Sequence, residues 1–193
     1  MKRLFDLCVA LTVALLLALP CVLVALAVKL TSPGPVLYWS DRVGRNNHLF
    51  KMPKFRSMRI DTPVVATHLL DKPEAWLTPI GGFLRKSSLD ELPQLWSILT
   101  GDMSLVGPRP ALYNQHDLIA LRTERGVHTL VPGLTGWAQI NGRDELPIPA
   151  KVALDAHYLA HHSLALDCRI LALTALLRAT KRLREVSSVI KST

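Results

Sequence analysis

Asp90 and Glu91 stand side by side, with Arg85 and Lys86 just upstream. Adjacent carboxylates beside basic residues suit phosphoryl transfer. One can attack phosphorus, as in enzymes that form an aspartyl phosphate. The pair can also hold Mg²⁺ beside a diphosphate, because Mg²⁺ takes oxygen ligands and few protein groups. In isolation the same residues read first as a helix cap and a favourable first-turn charge. Their string is Arg85-Lys86-Ser87-Ser88-Leu89-Asp90-Glu91-Leu92-Pro93-Gln94-Leu95. If Ser88 opened a capping box with Glu91, Pro93 would fall inside the helix and break a bond. With Asp90 as N-cap, Pro93 falls in the first turn, where N–H groups are unpaired anyway. The spacing therefore predicts a helix opened by Asp90 and running to Thr100, ended by Gly101. Its N-terminus favours anions and would keep Asp90 ionised.

Two further strings carry candidate anion ligands. In Gly107-Pro108-Arg109-Pro110 the prolines on both sides restrict the backbone around Arg109. A guanidinium fixed in that way can clamp a phosphate or stack on a base; the plain alternative is a rigid turn with a solvent-facing arginine. Pro108, Arg109 and Pro110 are thus a candidate substrate-binding unit. In Gly133-Leu134-Thr135-Gly136-Trp137-Ala138-Gln139-Ile140-Asn141-Gly142-Arg143 the glycines allow close backbone approach, and Arg143 is another candidate anion ligand. Trp137 reads as core packing. His157, His161 and His162 have helical spacing, but without further spaced ligands they read as exposed helix histidines rather than a zinc site. The phosphate-loop, dinucleotide and nucleophile-elbow motifs are all absent. No nucleic-acid module is visible, so no nucleic-acid partner is expected.

The elements that must position these residues begin with Leu7–Val28, an uncharged run of 22 residues. As one helix it would measure roughly 33 Å, enough to cross a hydrocarbon core of about 30 Å. It is too long for a signal-peptide core. Pro20 lies well inside it, removes the partner of the Leu16 carbonyl and favours a bend. Both flanks are basic: Lys2 and Arg3 before, then Lys29, Arg42, Arg45, Lys51, Lys54 and Arg56 after. Two readings stay open: a single-pass anchor, which transmembrane tolerance of proline favours, and a re-entrant hairpin with both ends inside.

After Thr31-Ser32-Pro33-Gly34-Pro35 the globular part begins. Val36–Trp39 and His48–Met52 read as strands around Gly44-Arg45-Asn46-Asn47. Residues 61–74 read as a mobile loop. Ala111–Arg125, Ala150–His162 and Leu164–Arg184 read as helices, and Trp137–Ile140 as a short extended piece. The last helix carries Arg169, Arg178, Lys181, Arg182 and Arg184 on its polar side. It suits either an anionic membrane surface or ordinary core packing. The fold expected is α+β and mainly helical, with residues 1–30 in the membrane and 31–193 as one domain. A net charge of +8 fits nucleic acid, anionic lipid or phosphorylated substrates equally well, while the hydrophobic fraction of 49% is high for a soluble protein and its excess lies at the N-terminus. Cys8, Cys21 and Cys168 form no disulfide framework. On these features alone a membrane-anchored basic scaffold without catalysis is the competing reading.

The strings together resemble the bacterial sugar transferase family, the small monotopic phosphoglycosyl transferases. The resemblance runs through Lys2-Arg3-x-Phe5-Asp6, the apolar run with Pro20, Ser32-Pro33-Gly34-Pro35, Arg42-Val43-Gly44-Arg45-Asn46 and Lys54-Phe55-Arg56-Ser57-Met58. It continues through the Asp90-Glu91 string, Gly101-Asp102-Met103-Ser104, Gly107-Pro108-Arg109-Pro110, Pro132–Trp137, Asn141-Gly142-Arg143, Asp155-x-x-Tyr158 and Ser163-Leu164-x-Leu166-Asp167. It implies a re-entrant helix broken near Pro20, a small globular domain on the cytosolic face with short strands and amphipathic interfacial helices, and location at the inner membrane. It implies that Asp90 attacks the β-phosphate of a UDP-sugar, releases UMP and passes the phosphosugar to polyprenyl phosphate. Glu91 would be the dyad partner, assisting proton transfer or Mg²⁺ placement. Arg109 would contact the nucleotide, with Arg85 and Arg143 as further phosphate ligands. Leu19 departs from the family pattern, which often has serine before the break proline. The larger members carry an extra membrane domain, so the resemblance implies a minimal catalytic form.

Overall fold

The apolar N-terminal run folds as two helices in the computed structural model of the chain, which describes residues 1–65, 70–142 and 146–191. Helices α1 (Lys2–Leu16) and α2 (Ala18–Thr31) meet at a bend of 61°. No single helix among the described residues is long and apolar enough to cross a membrane. The vertex is Leu17, with φ −98° and ψ 8°, and Pro20 lies inside the first turn of α2. Proline supplies no N–H, so the carbonyl of Leu16 loses its helical partner. The helical ladder resumes where Cys21 donates to the Leu17 carbonyl at 2.9 Å. A proline therefore bends the chain upstream of itself.

Both ends of this helix pair are tied to the globular domain. Arg3 caps a helix C-terminus by donating to the Ile98 and Leu99 carbonyls at 2.5 and 2.9 Å. Lys2 bonds the Asp167 carboxylate at 2.6 Å and the Val106 carbonyl at 3.1 Å. Buried Asp6 accepts from the Ser104 hydroxyl at 2.7 Å and the Leu105 N–H at 3.3 Å. At the far end, buried Arg56 donates to the Ser32 carbonyl and hydroxyl at 2.9 and 2.8 Å, and to the Pro33 carbonyl. Between these anchors Leu11, Leu15, Leu16, Leu19, Leu23 and Leu26 point outward and are exposed.

Strands β1 (Leu37–Val43) and β2 (Leu49–Phe55) form an antiparallel hairpin with Leu37 opposite Phe55 and Val43 opposite Leu49. Asn46 and Asn47 hold its turn at φ 54° and 60°, a left-handed conformation that asparagine tolerates better than most residues. The strands expected around this turn are present and longer than anticipated. Helices α3 (Gly81–Ser87) and α4 (Gln94–Thr100) follow, and α4 ends at Gly101 with φ 102°, as its sequence requires. Strand β3 (Ser104–Val106) pairs in parallel with β4 (Gly133–Thr135) across a crossover containing α5 (His116–Glu124). Then come α6 (Trp137–Ile140), α7 (Ile148–His161) and α8 (Leu164–Lys191). The core sits where α1, α4, β3, α7 and α8 meet, around Ala10, Ile98, Met103, Tyr158 and Ile170.

Three local expectations change. Trp137–Ile140 is a helical turn, because the extended part of the glycine string lies earlier and is used up pairing with β3. Helix α5 starts at His116 rather than Ala111. Ala111 and Leu112 are bonded to the hairpin instead, through Val43 N–H to the Ala111 carbonyl and an Arg42–Leu112 bridge. Within the expected loop, residues 66–69 lie outside the described ones, while Pro73–Trp76 form one 3-10 turn. Helix α8 buries Asp167 and Ile170 in its first half and leaves Leu176 and Leu177 exposed.

Candidate active site

Ser88, at φ 58°, ends α3 and opens a single 3-10 turn, Leu89–Glu91. Asp90 lies on that turn and is 8% exposed. It is not the N-cap predicted from the sequence: no side-chain cap bond forms, and α4 begins later, at Gln94. Pro93 explains the winding. It offers no N–H to the Leu89 carbonyl, so the N–H of Leu92 takes that carbonyl in a tighter i+3 bond at 3.2 Å.

Three cations from separate elements converge on Glu91. Its Oε1 accepts from Arg109 Nη2 at 2.8 Å and Lys54 Nζ at 3.3 Å, and Arg178 Nη2 lies 3.8 Å from Oε2. Lys54 comes from β2, Arg109 from the Pro108–Pro110 loop and Arg178 from α8. Burial alone would push the Glu91 carboxyl up, but Arg109 and Lys54 outweigh it and hold the group well below the usual carboxylate range. Asp90 goes the other way. Burial raises its pKa and the Glu91 charge adds to the rise, against the pull of Lys54 and Arg85. The helix-terminus field expected to keep Asp90 ionised is thus replaced by a buried setting that disfavours its charge. Lys54 is lowered by burial, with Glu91 opposing and Arg109 and Arg42 adding to the fall. The two adjacent acids are therefore pushed apart, the Glu91 carboxyl downward and the Asp90 carboxyl upward.

Arg85 touches the Met58 sulfur at 3.0 Å and lies close enough to favour ionised Asp90. Pro108 and Pro110 present bonded carbonyls: Gly133 N–H donates to the first at 2.9 Å and Arg42 to the second at 3.1 Å. Arg143 lies outside the described residues. The structure thus brings Asp90, Glu91, Arg85 and Arg109 into one cluster and adds Lys54, Arg42 and Arg178, which sequence reading had placed only among flanking or surface basic residues. Lys54 sits near the end of β2 between buried Pro53 and Phe55, where no alternation of faces singles it out.

A family model described as bacterial sugar transferase matches residues 1–181. This chain belongs to that family. An undecaprenyl-phosphate glucose phosphotransferase of Komagataeibacter xylinus is 44% identical over 184 residues, covering 90% of this chain and 35% of that protein. A UDP-glucose:undecaprenyl-phosphate glucose-1-phosphate transferase of Escherichia coli (strain K12) is 39% identical over 183 residues, covering 90% of this chain and 39% of that protein. Exopolysaccharide production protein PSS of Rhizobium leguminosarum bv. phaseoli is 39% identical over 196 residues, covering 94% of this chain and 96% of that protein. The chain thus spans little more than a third of the first two relatives and nearly all of the third.

For a bacterial sugar transferase the donor set matters as much as the charge. Among the described residues no group of three His, Cys, Asp or Glu side chains could hold a metal ion. His157 and His161 stack on each other at 4.3 Å, and the Nδ1 atoms of His161 and His162 face carbonyls of their own helix. Asp90 and Glu91 offer the one or two carboxylates with which Mg²⁺ is commonly held, the remaining ligands being phosphate oxygens and water. Asp90 and Glu91 are thus the carboxylates that could hold Mg²⁺ together with a diphosphate, with Glu91 Oε1 here bonded to Arg109 and Lys54.

Proposed function

We propose that this chain transfers a phosphosugar from a UDP-sugar to polyprenyl phosphate through a covalent bond to Asp90. The observation that carries the reading is Asp90 itself, buried on a turn among Lys54, Arg85 and the cations gathered on Glu91. The names of the relatives, undecaprenyl-phosphate sugar transferases, support the transfer onto a polyprenyl phosphate.

In the first half-reaction an Asp90 carboxylate oxygen attacks the β-phosphorus of the donor. The bond from that phosphorus to the bridging oxygen breaks, and UMP leaves with the electron pair. In the second, a phosphate oxygen of the lipid attacks the same phosphorus, and the Asp90 carboxylate departs. Phosphoryl transfer demands chiefly alignment and charge neutralisation. Arg109 and Lys54 neutralise the diphosphate, with Arg85 near Asp90 and Arg178 closing the α8 side. Mg²⁺, held by Asp90 and Glu91 with the diphosphate oxygens, would add further neutralisation. Glu91 is held too acidic to serve as a good base; its role is to fix the cations and contribute to metal placement.

The bent apolar helix pair supports a site at a lipid surface. Each arm measures roughly 22 Å, so a symmetric V with the observed bend reaches about 11 Å deep, within one leaflet of about 15 Å. Lys2, Arg3 and Asp6 at one end and Ser32 at the other are bonded to the same domain. Both ends then lie on one side, the cytoplasmic face of the inner membrane, with residues 1–30 as the re-entrant part and 31–193 as the catalytic part. The outward leucines face lipid.

The decisive experiment treats the membrane-embedded chain with a panel of UDP-sugars, Mg²⁺ and polyprenyl phosphate, and follows UMP. The expected result is UMP release that Asp90→Asn abolishes, with a phosphosugar adduct on the Asp90 peptide by mass spectrometry. Full activity in that variant would overturn the assignment. No UMP from any donor would leave the scaffold reading standing.

A further inference from the structure

Four consecutive carbonyls, those of Pro108, Arg109, Pro110 and Ala111, each accept a hydrogen bond from elsewhere in the fold. The donors are Gly133 N–H at 2.9 Å, Arg122 Nη1 at 2.8 Å, Arg42 Nη1 at 3.1 Å and Val43 N–H at 3.0 Å. Pro108 and Pro110 have no N–H, so carbonyls are the handles by which this loop can be held. Proline fixes φ at 108 and 110, and a residue before proline is confined to extended backbone. These restrictions narrow the torsions on either side of the peptide that follows Arg109, and Arg122 holds the oxygen of that same peptide.

Arg122 is itself immobilised. Its Nε and Nη2 both donate to Asp155 Oδ2, at 3.0 and 2.7 Å. Arg122 is 8% exposed and Asp155 1%. The three bonds of one guanidinium fork thus run from a buried acid on α7, through α5, to the main chain of the residue that bonds Glu91. Among the described residues Arg122 and Asp155 share no hydrogen bond or ion pair with Asp90 or Glu91. A buried ion pair is a weak source of net stability, since desolvation offsets most of the attraction. This one supplies direction.

We propose that Arg122, oriented by Asp155, is a positioning residue that sets the Arg109 main chain so that its guanidinium meets Glu91 and the donor diphosphate. The proposal rests on the transfer reaction above for its kinetic consequence, but not for its geometric one.

Removing one partner would leave a buried charge alone, so the test replaces both, with Arg122→Met and Asp155→Leu. UMP release is measured with UDP-sugar, Mg²⁺ and polyprenyl phosphate, in the natural background and with Arg109→Ala. A misplaced guanidinium is expected to lower kcat/KM by about tenfold or more. In the Arg109→Ala background the same pair should lower it by less than about twofold, because coupled groups are not additive. Equal factors in both backgrounds mean a merely structural pair and overturn the proposal. If the double variant fails to fold by thermal denaturation, Arg122→Lys, which keeps the charge opposite Asp155, is put through the same cycle. A second readout needs no turnover: phenylglyoxal modification of Arg109, followed by peptide mass spectrometry. Its rate should rise severalfold when the pair is replaced, and an unchanged rate overturns the proposal. A natural chain that releases no UMP would sink the transfer reading alone, and the labelling rate would still decide the role of Arg122.

Discussion

Replacing Asp90 by asparagine is expected to stop turnover and, at neutral pH, to make the protein more stable. Asparagine keeps the size of the side chain and removes the charge. Burial raises the Asp90 pKa above its ordinary value of 3.8, and Glu91 adds to the rise. Between the ordinary value and the raised one the native state therefore holds a proton that the unfolded chain has lost. Stability falls as pH rises through that window, and above it Asp90 costs a constant amount. Relief of strain at an active site commonly returns about 1 kcal/mol. For a chain of 193 residues that corresponds to a rise of about 2–4 °C in Tm. The assay is thermal unfolding of both proteins in detergent micelles from pH 4 to 8, with UMP release measured in parallel. The Tm gap should open from near zero at the acid end to a plateau. A gap independent of pH, or an Asp90→Asn protein less stable at pH 7.5, would refute the buried-charge argument even if activity were lost.

Glu91→Gln should act with the opposite sign. Its carboxyl is held below the ordinary 4.5, so its stabilisation is present above that value and lost as pH falls toward the folded one. Uncoupling Lys54 and Arg109 should cost about 3 kcal/mol and lower Tm at pH 7.5 by several degrees; a Tm unchanged within 1 °C, on the order of the scan error, would count against the cluster. Gly133→Ala puts a Cβ 2.0 Å from the Gly107 nitrogen, whereas at Gly82 the nearest atom is 3.7 Å away. The first should destabilise by about 2 kcal/mol and depress UMP release, and Gly82→Ala should do neither; similar results for the two would contradict the close packing behind the Pro108–Pro110 loop. Cysteines placed at Met1 and Leu30, in a background with the three natural cysteines replaced by serine, should both react with an impermeant maleimide in inside-out vesicles. Labelling of either one from the periplasmic side instead would rule out the re-entrant arrangement.

The candidate residues are more legible in the sequence than the contacts that gather them. Asp90, Glu91 and Arg109 stand out because adjacent carboxylates and a proline-flanked arginine are rare local patterns, and the structure brings all three together. Lys54 and Arg178 carry no local signal: their meeting on Glu91 depends on how β2 and α8 pack, which spacing does not encode. The helix expected to begin at Asp90 was misplaced because capping rules weigh the side chain against its own backbone, while Pro93 forces the turn before it into tighter winding. The same property of proline moves the N-terminal bend from Pro20 back to Leu17. The glycine string before Trp137 marks close approach without saying which of its residues pair, so the extended stretch falls at Gly133–Thr135 and Trp137 opens a helical turn.

The partners of residues 2–6 come from the middle of the chain and beyond. Arg3 waits for Ile98, Asp6 for Ser104, and Lys2 for Asp167. During synthesis the apolar helix pair is made before any of these partners exists, so its anchoring waits on the chain that follows. A truncation that removes Asp167 should therefore loosen the Lys2 end of α1 though every residue of that helix is intact.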